Sequence, residues 1–175
     1  MSSTAPSITK RIALLGILGA QALALSFLEN LIPALPGLPP GAKPGFSNIV
    51  TMYAVSSMGL GEAVYITVIK AVFAGLTRGP AAFLMSIAGG LLSTLVMFGL
   101  LRLHGRPFGI AGISVAAAVA HNFGQLLAAV MLLGTTTVLG YAPLILFFAI
   151  ITGLVTGTVL KTVMPALDRQ SNFFV

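Results

Sequence analysis

Side chains able to do chemistry are few in this sequence, and several of them interrupt apolar runs. Lys70 falls near the middle of one such run and His121 near the middle of another, where an unpaired charge is costly and usually serves a purpose. In His121-Asn122-Phe123-Gly124-Gln125 the spacing of four puts His121 and Gln125 on one helical face, one turn apart, with Asn122 beside them. Glu29 lies at the end of the first apolar run and is the one carboxylate on that side able to neutralise Lys43, Lys70 or Arg78.

Between the first two apolar runs, residues 33–48 break the helical pattern with Pro33, Pro36, Pro39, Pro40 and Pro44 alternating with glycines. Irregular backbone of this kind must face water or a protein-lined cavity, because lipid cannot satisfy its amides and carbonyls. The stretch carries Lys43 and ends in Ser47-Asn48, either of which could cap a helix starting at Ile49. A cation beside a helix N-terminus is an anion-recognition element. The expectation is a ligand with a negative or acceptor-rich group, held by Lys43, Asn48 and Arg78 from one side and by Lys70, His121 and Gln125 from below, with Glu29 and Asn122 adjoining. Plainer roles stand beside it. His121 and Gln125 serve equally as interhelical glue, Lys70 as a partner of Glu29, Lys43 and Arg78 as solvated loop charges, and Glu62 as a dipole-complementing first-turn residue.

Other chemistries have almost no residues available. There is no cysteine, Asp168 is the sole aspartate, and no paired-carboxylate or DDxxD element could hold magnesium. His104 and His121 lie too far apart to share a metal, and neither GxxxxGK[ST] nor GxGxxG occurs before a helix. No catalytic residue, metal site or cofactor is therefore expected.

The elements that must position these residues are membrane spans. Hydrophobic residues make up 57% of the 175-residue chain and charged residues 7%, and mean hydropathy is +1.06, values outside the soluble class. Apolar runs predict six helices, at 11–32, 49–58, 62–76, 81–101, 110–133 and 141–164, the second and third short for a full crossing. This gives an all-α integral membrane protein: a polar tail over 1–10, one compact six-helix domain over 11–164, and a tail over 165–175. The run after Lys10-Arg11 reads as the first span rather than a signal peptide. Small residues recur every fourth position at Gly16, Ala20 and Ala24, at Gly112, Ala116, Ala120, Gly124 and Ala128, and at Gly153 and Gly157, which permits close helix contact. The first of these stripes is expected to dock either another helix of the bundle or a partner subunit.

The net charge of +6 does not imply nucleic acid, because Lys10, Arg11, Arg78, Arg102, Arg106, Lys161 and Arg169 flank apolar spans and read as topology determinants. Placing the N-terminus inside puts Lys10, Arg11, Arg102, Arg106, Lys161 and Arg169 on the cytoplasmic side, against Lys43 and Arg78 outside. Both termini are then cytoplasmic and the proline stretch faces out.

Three ordered motifs carry a resemblance: Pro40-Gly41-Ala42-Lys43-Pro44-Gly45-Phe46-Ser47-Asn48-Ile49-Val50-Thr51, Ser86-Ile87-Ala88-Gly89-Gly90-Leu91-Leu92-Ser93 and Ala120-His121-Asn122-Phe123-Gly124-Gln125-Leu126. From about Ala13 to Val163 the chain resembles the Gx transporter family, also labelled heptaprenyl diphosphate synthase component I. That family is in turn similar to the substrate-binding S components of energy-coupling-factor transporters. It departs from the expected pattern at Pro44, where a more flexible apolar residue would follow Lys43. The resemblance implies a multi-pass protein of the bacterial plasma membrane that captures a small isoprenoid, quinone-related or vitamin-like ligand. A transmembrane coupling subunit with ATPases would be its partner. The other label implies a noncatalytic component assisting a prenyl-diphosphate synthase in isoprenoid or menaquinone biosynthesis.

Overall fold

The computed structural model describes residues 8–31, 45–103 and 109–173, the last eight of these by backbone alone. Lys43, His104 and Arg106, together with most of the proline stretch, fall outside the described residues. Among the described residues there are six α-helices, one 3-10 segment and no strand. They are α1 (Ile8–Leu31), α2 (Asn48–Ser57), α3 (Leu60–Arg78), α4 (Pro80–Arg102), α5 (Ile110–Leu133) and α6 (Ala142–Phe173), with the 3-10 segment at Thr136–Tyr141. Five helices are long and apolar enough to cross a membrane. The exception is α2: its 10 residues reach only about 15 Å at 1.5 Å per residue, half a hydrocarbon core.

Helix ends follow local chemistry. Gly79 takes φ +91, a conformation that side chains resist, and closes the turn between α3 and α4. Pro80 then starts α4 at a position where a missing N–H costs nothing. Of the six expected spans, five are long and apolar enough to cross and the second is not; the other corrections lie at helix ends. The third span, expected at 62–76 and short, runs over Leu60–Arg78 and is long enough to cross. Helix α1 starts at Ile8, inside the expected polar tail, and α6 runs on through Pro165 to Phe173.

Close glycine contacts set the order of the long helices. A Cβ on Gly90 would meet Thr67 Cγ2 at 2.6 Å, one on Gly124 would meet the Ala88 carbonyl oxygen at 2.8 Å, and one on Gly157 would meet Ala111 Cα at 2.8 Å. Such spacing is possible only where one backbone presents no side chain. Helices α3, α4, α5 and α6 thus pack in sequence, each antiparallel to the last. Two hydroxyl pairs cross these contacts, Thr67 with Thr94 at 2.9 Å and Ser114 with Thr156 at 2.8 Å.

The short α2 lies inside this arrangement. Six consecutive residues, Val50 through Val55, are buried, so the helix is covered on every face. Tyr53 shares the core with Leu18, Ile66, Met97, Ile113 and Leu160, one side chain from each of the other helices. Helix α1 is covered on one side only. Leu18, Ala22, Ser26 and Glu29 face inward while Ile12, Ile17 and Phe27 point out.

Candidate functional site

The polar centre of the molecule forms where α2 begins. Lys70, 8% exposed on α3, donates from Nζ to Asn48 Oδ1 at 2.9 Å and to Thr51 Oγ1 at 3.4 Å. Asn48 is the first residue of α2 and Thr51 lies one turn further on, so one ammonium holds two residues of the same helical face. On the opposite flank, the Glu29 carboxylate on α1 accepts the Ser47 backbone N–H at 2.8 Å. Glu29 is 4% exposed and lies within electrostatic range of both Lys70 and Arg78.

This geometry corrects the expected helix cap. Ser47 occupies the cap position of α2 but makes no side-chain capping bond, and the Asn48 side chain is turned to Lys70. A carboxylate from another helix serves the buried Ser47 amide instead, and its charge suits the positive end of the helix dipole. Glu29 therefore binds a backbone amide rather than acting solely as the counter-ion of a lysine or arginine.

The α5 residues sit one layer away. His121 packs its ring on Gly89 of α4, its Nδ1 is buried with no hydrogen-bond partner, and Lys70 lies within electrostatic range of it. Gln125 lies against the same glycine, where a Cβ would meet Gln125 Cγ at 2.8 Å. Asn122 donates from Nδ2 to the Ala118 carbonyl of its own helix at 3.1 Å. Arg78 is exposed in the last turn of α3. The expected ligand residues among those described thus divide into a central group (buried Glu29 and Lys70 with half-buried Asn48), a neighbouring pair (His121, Gln125) and two that point elsewhere.

Two features carry no clear sequence signal. A cavity of about 20 Å³, room for one water, lies beside Asn48 and is bounded by Met52, Met97, Ser114 and Thr156. Its hydroxyls look like ordinary span serines and threonines in sequence. Glu62, read as a dipole residue in the first turn of α3, also forms an ion pair with Arg11 of α1. Among the described residues no three His, Cys, Asp or Glu side chains gather as a metal site.

The stripe on α1 faces outward. Gly16, Ala20 and Ala24 are all exposed, and nothing lies within 4 Å of where a Gly16 Cβ would be. Gly16 and Ala20, with Ile12, Leu15, Tyr65 and Ile69, line an apolar groove of about 390 Å³ between α1 and α3.

No curated protein matches the sequence. Among solved structures, the S component of a bacterial energy-coupling-factor transporter aligns with TM-score 0.65 and 20% identity, covering 95% of this chain and 98% of that one. At that identity the match is one of fold: this chain has the S-component fold and is a multi-pass membrane protein. Residues 18–163 match the family described as heptaprenyl diphosphate synthase component I, and the chain belongs to that family.

Proposed function

We propose that this protein is a substrate-capture subunit of a membrane transporter, working in the bacterial plasma membrane with a transmembrane coupling subunit and its ATPases. The observation that carries this reading is the S-component fold over nearly the full length of both chains. The cluster of buried Lys70 and Thr51 with half-buried Asn48 adds support. A desolvated ammonium inside a bundle of lipid-facing helices is expensive to keep and suits a polar ligand group. Asn48 and Lys70 are the core of the ligand site, with His121 and Gln125 adjoining, and with Lys43, Arg78, Glu29 and Asn122 at its margins. Gly16, Ala20 and Ala24 form the docking face for the coupling subunit.

The family description favours a second reading, a noncatalytic membrane component that helps a prenyl-diphosphate synthase retain its lipid substrate. One experiment separates the two. The protein is purified in mild detergent from its native host, and both copurifying subunits and small molecules are identified by mass spectrometry. Coupling subunit and ATPases with a retained small molecule support capture. A prenyl synthase with a prenyl lipid overturns it in favour of the second reading.

A further inference from the structure

Asn48 Oδ1 accepts from Lys70 Nζ at 2.9 Å, a contact that any carbonyl or carboxylate oxygen could make in its place. The Lys70 ammonium has three N–H donors and no acceptor, and its two protein partners are both neutral, a carboxamide oxygen and a hydroxyl. Hydrogen bonds from an ammonium to an ionised carboxylate are roughly twice as strong as neutral ones. A carboxylate reaching this point therefore outcompetes the Asn48 carboxamide. Asn48 also borders the cavity of about 20 Å³ edged by the hydroxyls of Ser114 and Thr156, which put polar groups on its far flank.

Charge limits the head group. Lys70 and Glu29 are the charged side chains among the buried described residues, one of each sign and within electrostatic range of one another. No second buried Lys or Arg lies among the described residues, and no three metal-binding side chains gather there. Against the one buried ammonium among the described residues, a multiply charged diphosphate would keep unbalanced charge at low dielectric, which is costly. A single carboxylate or a neutral carbonyl needs only the one ammonium.

We propose that Lys70 anchors the ligand through one carboxylate or amide carbonyl oxygen, and that this oxygen replaces Asn48, which holds its place in the present structure. The proposal rests on the capture reading. Its test uses the full chain in non-ionic detergent, following the thermal unfolding midpoint against sodium hexanoate, hexanamide and inorganic pyrophosphate. Hexanoate or hexanamide should raise the midpoint of the wild type, whichever does so identifying the head group. Asn48→Ala should lower the half-effective concentration at least about threefold, as a competing hydrogen bond is lost. Asn48→Asp, which places an ionised partner on Lys70, should raise the resting midpoint and the concentration required. Lys70→Gln should abolish the response. If Asn48→Ala does not fold, the Asn48→Asp comparison decides alone. An equal or absent response in all folded proteins overturns the proposal, as does a larger shift with pyrophosphate. Should the response be absent while the wild type still copurifies a small molecule, this assignment fails and the capture reading stands. Absence of any retained molecule sinks the capture reading itself.

Discussion

Gly153 of α6 and Val115 of α5 meet backbone to backbone: a Cβ on Gly153 would lie 2.6 Å from the Val115 Cα and 3.1 Å from the Ser114 carbonyl oxygen. Backbone atoms cannot swing aside as a side-chain tip can, so a methyl group here forces the two helices apart. Gly153→Ala should therefore destabilise the bundle by about 1–3 kcal/mol, the usual cost of overpacking. Separating the helices also threatens the Ser114–Thr156 bond one turn away. Gly99, exposed and with nothing within 4 Å of its would-be Cβ, supplies the control. There Ala should be neutral or stabilising by up to about 1 kcal/mol, because it loses less backbone freedom on folding. Chemical unfolding in mixed micelles compares the two variants, and equal effects would refute the close-contact account.

Glu29 and Ser47 give a second prediction, in which two substitutions separate charge from hydrogen bonding. Glu29→Gln keeps an acceptor for the Ser47 N–H but loses the charge that favours the α2 N-terminus and Lys70. Glu29→Ala loses both. The alanine variant should cost about 1–3 kcal/mol, the range for an orphaned buried donor, and the glutamine variant less. Unfolding midpoints measured on both give the order. If glutamine proves as damaging as alanine, charge rather than the amide contact is what α2 needs.

How far the sequence carried this fold depended on what each feature rests on. Helix α5 was legible to the residue, since an apolar run bounded by Gly109 and Gly134 fixes its ends at Ile110 and Leu133. The limits of α3 and α6 were less so. Helical hydrogen bonding continues past the apolar run until glycine stops it, and Pro165 removes one donor without breaking α6. The short α2 could be read as too brief to cross, and the structure accounts for it by burying it among the other helices. The site was harder. Composition marked Lys70 and Glu29 as exceptional, but the partner of Lys70 lies 22 residues away on a helix reached through an irregular stretch. Nothing in residue type said that Glu29 would accept the Ser47 backbone amide as well as facing Lys70 and Arg78. The threonines that pair across α3 and α4 resemble others that merely bond within their own helix, as Thr158 and Thr162 do.

Alternation of the helices places Lys10, Arg11, Arg102 and Lys161 at one end of the bundle and Arg78 at the other. By the basic-residue rule that richer end is expected in the cytoplasm. Single cysteines at Ser3, Gly105 and Ser171 should react with a membrane-impermeant maleimide only after the cells are opened. Labelling of Ser171→Cys in intact cells would invert the assignment of the C-terminal end.

The outward stripe of α1 leads to the last prediction. Ala20 is exposed, and with Gly16 it floors a groove of about 390 Å³ whose walls include Leu15 and Tyr65. In lipid there is little hydrophobic gain from joining two apolar helices, so association depends on close packing, and small residues allow a partner backbone to approach. Leucine at Ala20 would extend into the open groove beside Tyr65 and Ile69 rather than into the core, because Ala20 is exposed while Leu18 and Ala22 are the positions buried in the bundle. Ala20→Leu should thus leave the unfolding midpoint of the isolated protein unchanged while breaking association with the proposed transmembrane coupling subunit. The companion substitution Ala22→Leu, at a position with 0% exposure, should do the reverse and unfold the protein alone. Co-purification through a tag on the coupling subunit, paired with unfolding curves, reads both effects. Intact association with Ala20→Leu would mean that the groove is a lipid-filled face and that docking lies on another helix.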